Sequence, residues 1–317
     1  MPCDLIAPLN AVPRIPFGSW VDTAVTWLQQ HWAGFFNGVA DGLNTLVGWI
    51  QDGLLSLPIF LVVAVLAVIA LLARGLLTGV GSAVGLLLVD ALDQWANAMD
   101  TLAVVVVASV IALLLAIPVG ILAARLRAVS VVAKPVMDFM QTLPSFVYLL
   151  PALFLLGLGS AAAVLATIVF AMPPGVRLTE LGIRQVDKEM VEAGQAFGAT
   201  PREVLRGIQI PLALPTIMAG VNQVIMLALS MTVIAGLVGG GGLGGAVVQG
   251  LQTLDVALGA EAGVAVVILA IYLDRVTAAV GQGSLRRAAA VFRGPFGRKA
   301  DERPAPTAEA QSTGRAA

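Results

Sequence analysis

After residue 53 the chain alternates between long apolar stretches and short polar ones. Seven stretches of roughly 16 to 27 residues are apolar enough to cross a hydrocarbon core as helices. They predict spans at Leu54–Ala73, Gly75–Leu92, Thr101–Ala124, Met137–Leu158, Ala161–Val176, Leu212–Val238 and Ala260–Val280. The fourth, with Pro144 and Pro151, and the short fifth are the least clean, so the pattern allows six to eight spans. Pro118 predicts a kink in the third. Before residue 53 the pattern differs. Trp20, Ala24, Trp27, Leu28, His31 and Phe35 recur at helical spacing, and Ser19, with Asp22 three residues later, is placed to cap that helix. Four of the five tryptophans lie between Trp20 and Trp49, which favours one or two amphipathic helices lying on the outer membrane surface. The alternative is a short re-entrant or packed helix. Three regions follow: 1–53, extracytoplasmic; 54–283, transmembrane, with a polar loop at 179–211; and 284–317, a polar tail read as disordered and cytoplasmic.

Composition agrees with membrane residence. Of 317 residues 58% are hydrophobic and 12% charged, where soluble domains carry about 25% charged residues. The net charge of −1 excludes a polycation built for nucleic acid. One cysteine, Cys3, and one histidine, His31, leave no intrachain disulfide and no multi-ligand zinc site, and no metal is expected. The first twenty residues lack the basic-then-apolar order of a cleaved signal peptide.

Charge also sets a topology. With seven spans and the N-terminus outside, the inner loops hold Arg74, then Arg125, Arg127 and Lys134, then Arg177, Arg184, Lys188, Arg202 and Arg206, then everything from Arg275 on. Only Arg14 falls outside, together with Asp22, Asp41, Asp52, Asp90, Asp93, Asp100, Asp255 and Glu261. This segregation follows the positive-inside rule and predicts a cytoplasmic C-terminus.

The loop from Thr179 to Ile210 carries the most specific local signals. Asp187 is placed to cap a helix running to Phe197, which Gly198 ends. Thr200-Pro201-Arg202-Glu203 has the form of a capping box with Pro at the first helical position, and the second helix is expected to stop before Pro211. The prediction is a rigid helix–glycine–helix elbow. Small residues at Ala193 and Gly194 would let another protein approach closely.

Within this loop Glu192-Ala193-Gly194-x3-Gly198-x9-Ile208-x-Ile210-Pro211 resembles the EAA signature of binding-protein-dependent ABC permeases. Gly194 and Ile210 depart mildly from the usual Ala and Leu, and the spacing is intact. Further segments, Met137 to Tyr148, Pro173 to Thr179, Leu181 to Gln185, Leu227 to Met231, the Gly239 to Gly245 run and Leu273-Asp274-Arg275, are similar to the glycine betaine/proline betaine (quaternary amine) permeases. The resemblance covers about Asp90 to Gly283. It implies an all-α polytopic fold of the type I ABC importer kind and import of osmoprotectants such as glycine betaine. It also implies a permease homodimer, two copies of a cytoplasmic ABC ATPase that carries ATP-Mg, and a separate extracytoplasmic solute-binding protein. Coupling to the ATPase then falls to Glu192, Ala193, Gly194, Gly198, Ile208, Ile210 and Pro211.

The chain itself holds no phosphate-cradling P-loop. Its three lysines, Lys134, Lys188 and Lys299, are followed by Pro, Glu and Ala, so ATP hydrolysis belongs to another chain. Gly240 to Gly245 formally matches a dinucleotide fingerprint, but no strand precedes it, and a turn or close helix packing accounts for it better. Gln141, Asn222 and Gln223 are polar groups inside predicted spans. They should face protein or a water-filled path, as pore lining or as helix–helix hydrogen bonds. Pro144, Phe146, Tyr148, Ser230 and Met231 complete a candidate translocation path. Aromatic faces there could meet a quaternary ammonium, though core packing is the plainer role. Asp274-Arg275 reads as an interfacial anchor. Rival readings are a permease for another small solute (choline, carnitine, methionine or a sulfonate) and an ion-coupled secondary transporter. The scarcity of charge at mid-bilayer argues against the last.

Overall fold

The computed structural model describes residues 16–281, all of them in helices or short connections. The first fifteen residues of the predicted outer region and the whole predicted tail, 284–317, lie outside the described residues. The helix α1, Phe17–Leu55, runs for 39 residues with a break in helical geometry at Trp32. It starts two residues before the predicted Ser19 cap; the Ser19 hydroxyl instead donates to the Pro16 carbonyl (2.8 Å). Between α1 and α2, Ile59–Arg74, the chain turns through 107°. Leu54 and Leu55 therefore belong to α1, and Pro58, which has no N–H to continue a helix, opens the first span.

Helices α2 and α3, Leu76–Ala91, form a tight antiparallel hairpin. Gly75 at the tip holds φ +100°, where a side chain would be strained. Helix α4, Trp95–Arg125, begins two turns earlier than predicted because Trp95, Ala98 and Met99 are buried. The predicted fourth span is two helices, α5, Arg127–Thr142, and α6, Ser145–Leu156, bent by 99°. Leu143 and Pro144 are both extended, as a residue before proline and a proline ahead of a helix prefer. Helix α7, Ser160–Arg184, runs two turns past the predicted end at Val176. Its polar extension is paired rather than solvated: the Glu180 carboxylate, nearly inaccessible, accepts from the Ser130 hydroxyl (2.7 Å) and meets Arg184 (2.9 Å) and Lys134 (3.9 Å).

After the elbow, helix α10, Ile210–Ala235, is followed by the glycine run, then α11, Gly242–Thr253, and α12, Val256–Gly281. Helix α11 was not foreseen, because its glycines read as a loop. Among the described residues four helices are long and apolar enough to cross a membrane, or six if each bent pair counts as one span. Helix α3 is a shorter apolar helix. Seven predicted spans thus resolve into straight, bent and short ones.

The centre of the fold is α4, α7 and α10, whose backbones approach closely at glycines. A Cβ on Gly120 of α4 would stand 2.6 Å from Thr179 Cβ and 2.7 Å from the Val176 carbonyl oxygen of α7. One on Gly175 of α7 would stand 2.9 Å from Ala116 Cβ, and one on Gly220 of α10 3.0 Å from Leu178 Cβ. In lipid the apolar effect does not drive helices together, so this close contact of small residues is what holds the core. The glycine run does the same work. A Cβ on Gly236 would lie 2.2 Å from the Gly244 carbonyl carbon, and the Leu243 N–H donates to the Thr101 hydroxyl of α4 (2.8 Å).

Candidate functional site: the elbow and the polar faces of the core helices

The elbow is built by local capping. Asp187 ends the α7 connection and its carboxylate accepts from the Glu189 N–H (3.0 Å), starting α8, Lys188–Ala196. At the other end Gly198 sits at φ +83°; its N–H donates to the Gln195 carbonyl (2.9 Å) and the Ala199 N–H to the Gly194 carbonyl (3.1 Å). This pair of bonds is a Schellman stop. Thr200 and Glu203 then form the predicted capping box, with Pro201 opening α9, Pro201–Val204. The second helix does not stop before Pro211. A π turn over Leu205–Gln209 carries it into α10. The widened turn relieves the fault Pro211 would cause, since its ring would press on the carbonyl four residues back and it has no N–H to give.

The elbow is fastened to the core at several points. The Arg125 guanidinium, at the end of α4, donates to the Pro201 carbonyl (2.8 Å). Arg184 donates to the Ala123 carbonyl of α4 (2.9 Å) while pairing with Glu180. Between α8 and the ends of α4 and α7 is a cleft of about 310 Å³ with Arg125, Arg184, Lys188 and Glu192 among its walls. Arg125 thus ties the elbow to α4, and the run from α9 through the π turn ties it to α10.

Gly194 differs from the expectation. It faces inward, and a Cβ there would reach 2.5 Å from Ile208 Cδ1, so its smallness serves packing within the elbow. Glu192, Ala193 and Gly198 are exposed, Pro211 is exposed at the base of α10, and Ile208 and Ile210 are half-buried. At the tip stands Phe197, 93% exposed. Sequence reasoning missed it; the signal was an apolar residue beside the helix-ending glycine of an otherwise polar helix. Glu203 lies in the polar first turns of the continuous 38-residue segment from Pro201 to Val238, ahead of its apolar part, and about 20 residues suffice to span. Hydrogen bonds from the Thr200 hydroxyl and N–H hold its carboxyl below the usual range.

The candidate path residues separate into two groups. Gln141, Pro144 and Phe146 are exposed around the α5–α6 break, and Tyr148 spans it, its hydroxyl donating to the Met140 carbonyl and its ring meeting Phe170 edge-on at 5.9 Å. Gln223 and Ser230, seven residues apart on α10, are also exposed. Asn222 is not. It donates to the Asp274 carboxylate of α12 (3.2 Å) and accepts from the Thr277 hydroxyl, so it joins helices. Asp274 thereby works between helices, not only at an interface. Met231 is fully buried in the core. No cluster suited to a metal ion occurs among the described residues.

An elbow of this shape, rooted in a three-helix core, matches the family of binding-protein-dependent transport system inner membrane components over residues 116–284. The chain belongs to that family. It is 44% identical to the glycine betaine/proline betaine transport system permease ProW of Escherichia coli over 86% of its own length and 77% of the relative's. It is 43% identical to the glycine betaine permease OpuAB of Bacillus subtilis (85% and 95%) and 44% identical to the glycine betaine/carnitine permease GbuB of Listeria monocytogenes (84% and 96%). A solved inward-facing MetNI methionine ABC transporter shares the fold, with a TM-score of 0.51 at 25% identity over 59% of this chain and 92% of that one. The protein is thus a multi-pass inner-membrane permease subunit of an ABC importer, with the all-α architecture of the type I class. ATP hydrolysis belongs to a separate chain, and a solute-binding protein is among the importer's partners.

Proposed function

We propose that this subunit imports glycine betaine, proline betaine and related osmoprotectants, received from a separate extracytoplasmic binding protein. Two copies of the chain would enclose the pore, with one ATPase under each elbow, the N-terminus outside and the C-terminus in the cytoplasm. The observation that carries the reading is an elbow capped at both ends and bonded to α4 through Arg125, beside an exposed Phe197 that offers an ATPase groove an apolar knob. Closure of two ATPases would move both elbows, and with them the core helices, so that the pore alternates between outer and inner access. The substrate class is supported by the betaine permeases matched along most of the chain. A choline permease of Bacillus subtilis, 34% identical, matches only 54% of it. The bare faces bearing Gln141, Phe146, Gln223 and Ser230 would line the path, and Phe146 would meet the cationic head by its ring face. The bend from α1 to α2 fits a helix lying along the outer surface that turns into the bilayer.

The test is uptake of labelled glycine betaine by proteoliposomes holding the permease, its ATPase and its receptor. ATP-dependent accumulation, competed by proline betaine, is expected. Receptor-stimulated ATP hydrolysis without betaine uptake would reject the substrate. Uptake driven by an ion gradient without the ATPase would reject the mechanism.

A further inference from the structure

Away from the elbow, a groove of about 600 Å³ runs between the α2–α3 hairpin and α12. One end is polar and cationic. Arg74, from the last turn of α2, and Arg275, from α12, both line it, together with Thr78 and Ser82 on one face of α3. The other end is apolar, walled by Ile268 and Ile271; Gly81 leaves open space there, while Gly85 packs against Ile268, where a Cβ would stand 2.9 Å from Ile268 Cγ2. Tyr272 closes the back, its hydroxyl committed to the Leu66 carbonyl (3.2 Å).

The cations are not fully paired within the fold. Arg74 has no hydrogen-bond or ion-pair partner among the described residues, and neither hydroxyl of Thr78 and Ser82 has one there. Arg275 stands 3.9 Å from Asp274, whose carboxylate is shared with Asn222. The hairpin is also short. Its helices have 16 residues each, about 24 Å at 1.5 Å per residue, against a hydrocarbon core of about 30 Å. Arg74 at the hairpin tip therefore ends about 6 Å short of the hydrocarbon edge, where an unpaired guanidinium is costly unless its stem reaches outward to an anion.

We infer that this groove binds one anionic phospholipid, its phosphate held by Arg74 and Arg275 and one acyl chain laid over Gly81 against Ile271. On the topology proposed above, the site faces the cytoplasmic leaflet, and that placement alone rests on it. The two-ended character selects a lipid over a free anion, which has no use for the apolar half.

The experiment is native mass spectrometry of the detergent-purified permease–ATPase complex, titrated with phosphatidylglycerol, phosphatidylcholine or inorganic phosphate. It does not depend on substrate or orientation. The complex should retain phosphatidylglycerol selectively, and the double variant R74Q/R275Q should bind it at least tenfold more weakly, with R74K/R275K retaining most of the binding. Gly81→Leu, at a position with open space around it, keeps both arginines and should expel the lipid by filling the groove. Undiminished phosphatidylglycerol in R74Q/R275Q or Gly81→Leu, equal retention of phosphatidylcholine, or displacement of the lipid by millimolar phosphate would each overturn the assignment. Orientation is read separately, by labelling a cysteine placed at Leu77 from either side of the membrane. Failure of betaine uptake would leave this result untouched.

Discussion

Substituting Gly120 by alanine tests the core most directly. The added Cβ would lie 2.6 Å from Thr179 Cβ and 2.7 Å from the Val176 carbonyl oxygen, where ordinary contact is 3.4–4 Å. Neither obstacle can rotate away, since one is a Cβ and the other backbone. Helices α4 and α7 must separate by about an ångström locally, and overpacking of this kind costs about 1–3 kcal/mol. Alanine also favours the helix itself by up to ~1 kcal/mol over glycine. Gly263→Ala on α12, where nothing lies within 4 Å, measures that gain alone. Gly194→Ala makes a third case: its clash, at 2.5 Å, is with the mobile Ile208 Cδ1, so a rotamer change relieves it. The assay is thermal unfolding in mild detergent, followed by fluorescence-detected size exclusion. The expected order of melting temperature is Gly263→Ala at or above the native chain, Gly194→Ala slightly below, and Gly120→Ala several degrees lower. A Gly120→Ala protein that melts with Gly263→Ala would refute the close crossing of α4 and α7.

Other residues give sharper tests of role. Met231→Ala should cost about 2–5 kcal/mol of stability, as truncation of a fully buried side chain does, while leaving the KM for uptake unchanged; a KM shift without destabilisation would put Met231 on the path. Phe197→Glu should leave the melting temperature within the ~0.5 kcal/mol range of surface changes but abolish co-purification of the ATPase. Arg125→Gln removes the bond to the Pro201 carbonyl, so receptor-stimulated ATP hydrolysis should persist while uptake per ATP falls several-fold; an unchanged ratio would show that the bond transmits nothing. Glu203, with a folded pKa below the ordinary value, stabilises the capping box fully above that ordinary value and loses the effect as pH falls through the lowered one. Hydrogen exchange at the Glu203 amide should therefore accelerate in acid beyond its intrinsic rate, and Thr200→Val should remove that extra dependence.

The sequence by itself determined what depends on neighbours along the chain. Membrane residence follows from the length of the apolar stretches. The caps of the elbow were legible to the residue, because Asp187, Gly198, Thr200 and Glu203 act on backbone groups two to four positions away, whereas the end of its second helix was not. Tertiary structure decided whatever joins distant positions. Asn222 was open between pore and helix contact until Asp274 and Thr277, more than fifty residues on, were brought beside it. Met231 carried no mark of its burial, since an apolar helix in lipid is apolar on every side and its periodicity does not say which face meets protein. The 99° break at Leu143 and Pro144 was likewise undecided: proline gives the option of a break, and only the packing of α5 and α6 against α7 selects its angle. Gly194 was read as a surface for a partner because smallness alone does not say which side the neighbour is on; Ile208, two turns into the next helical segment, occupies the space.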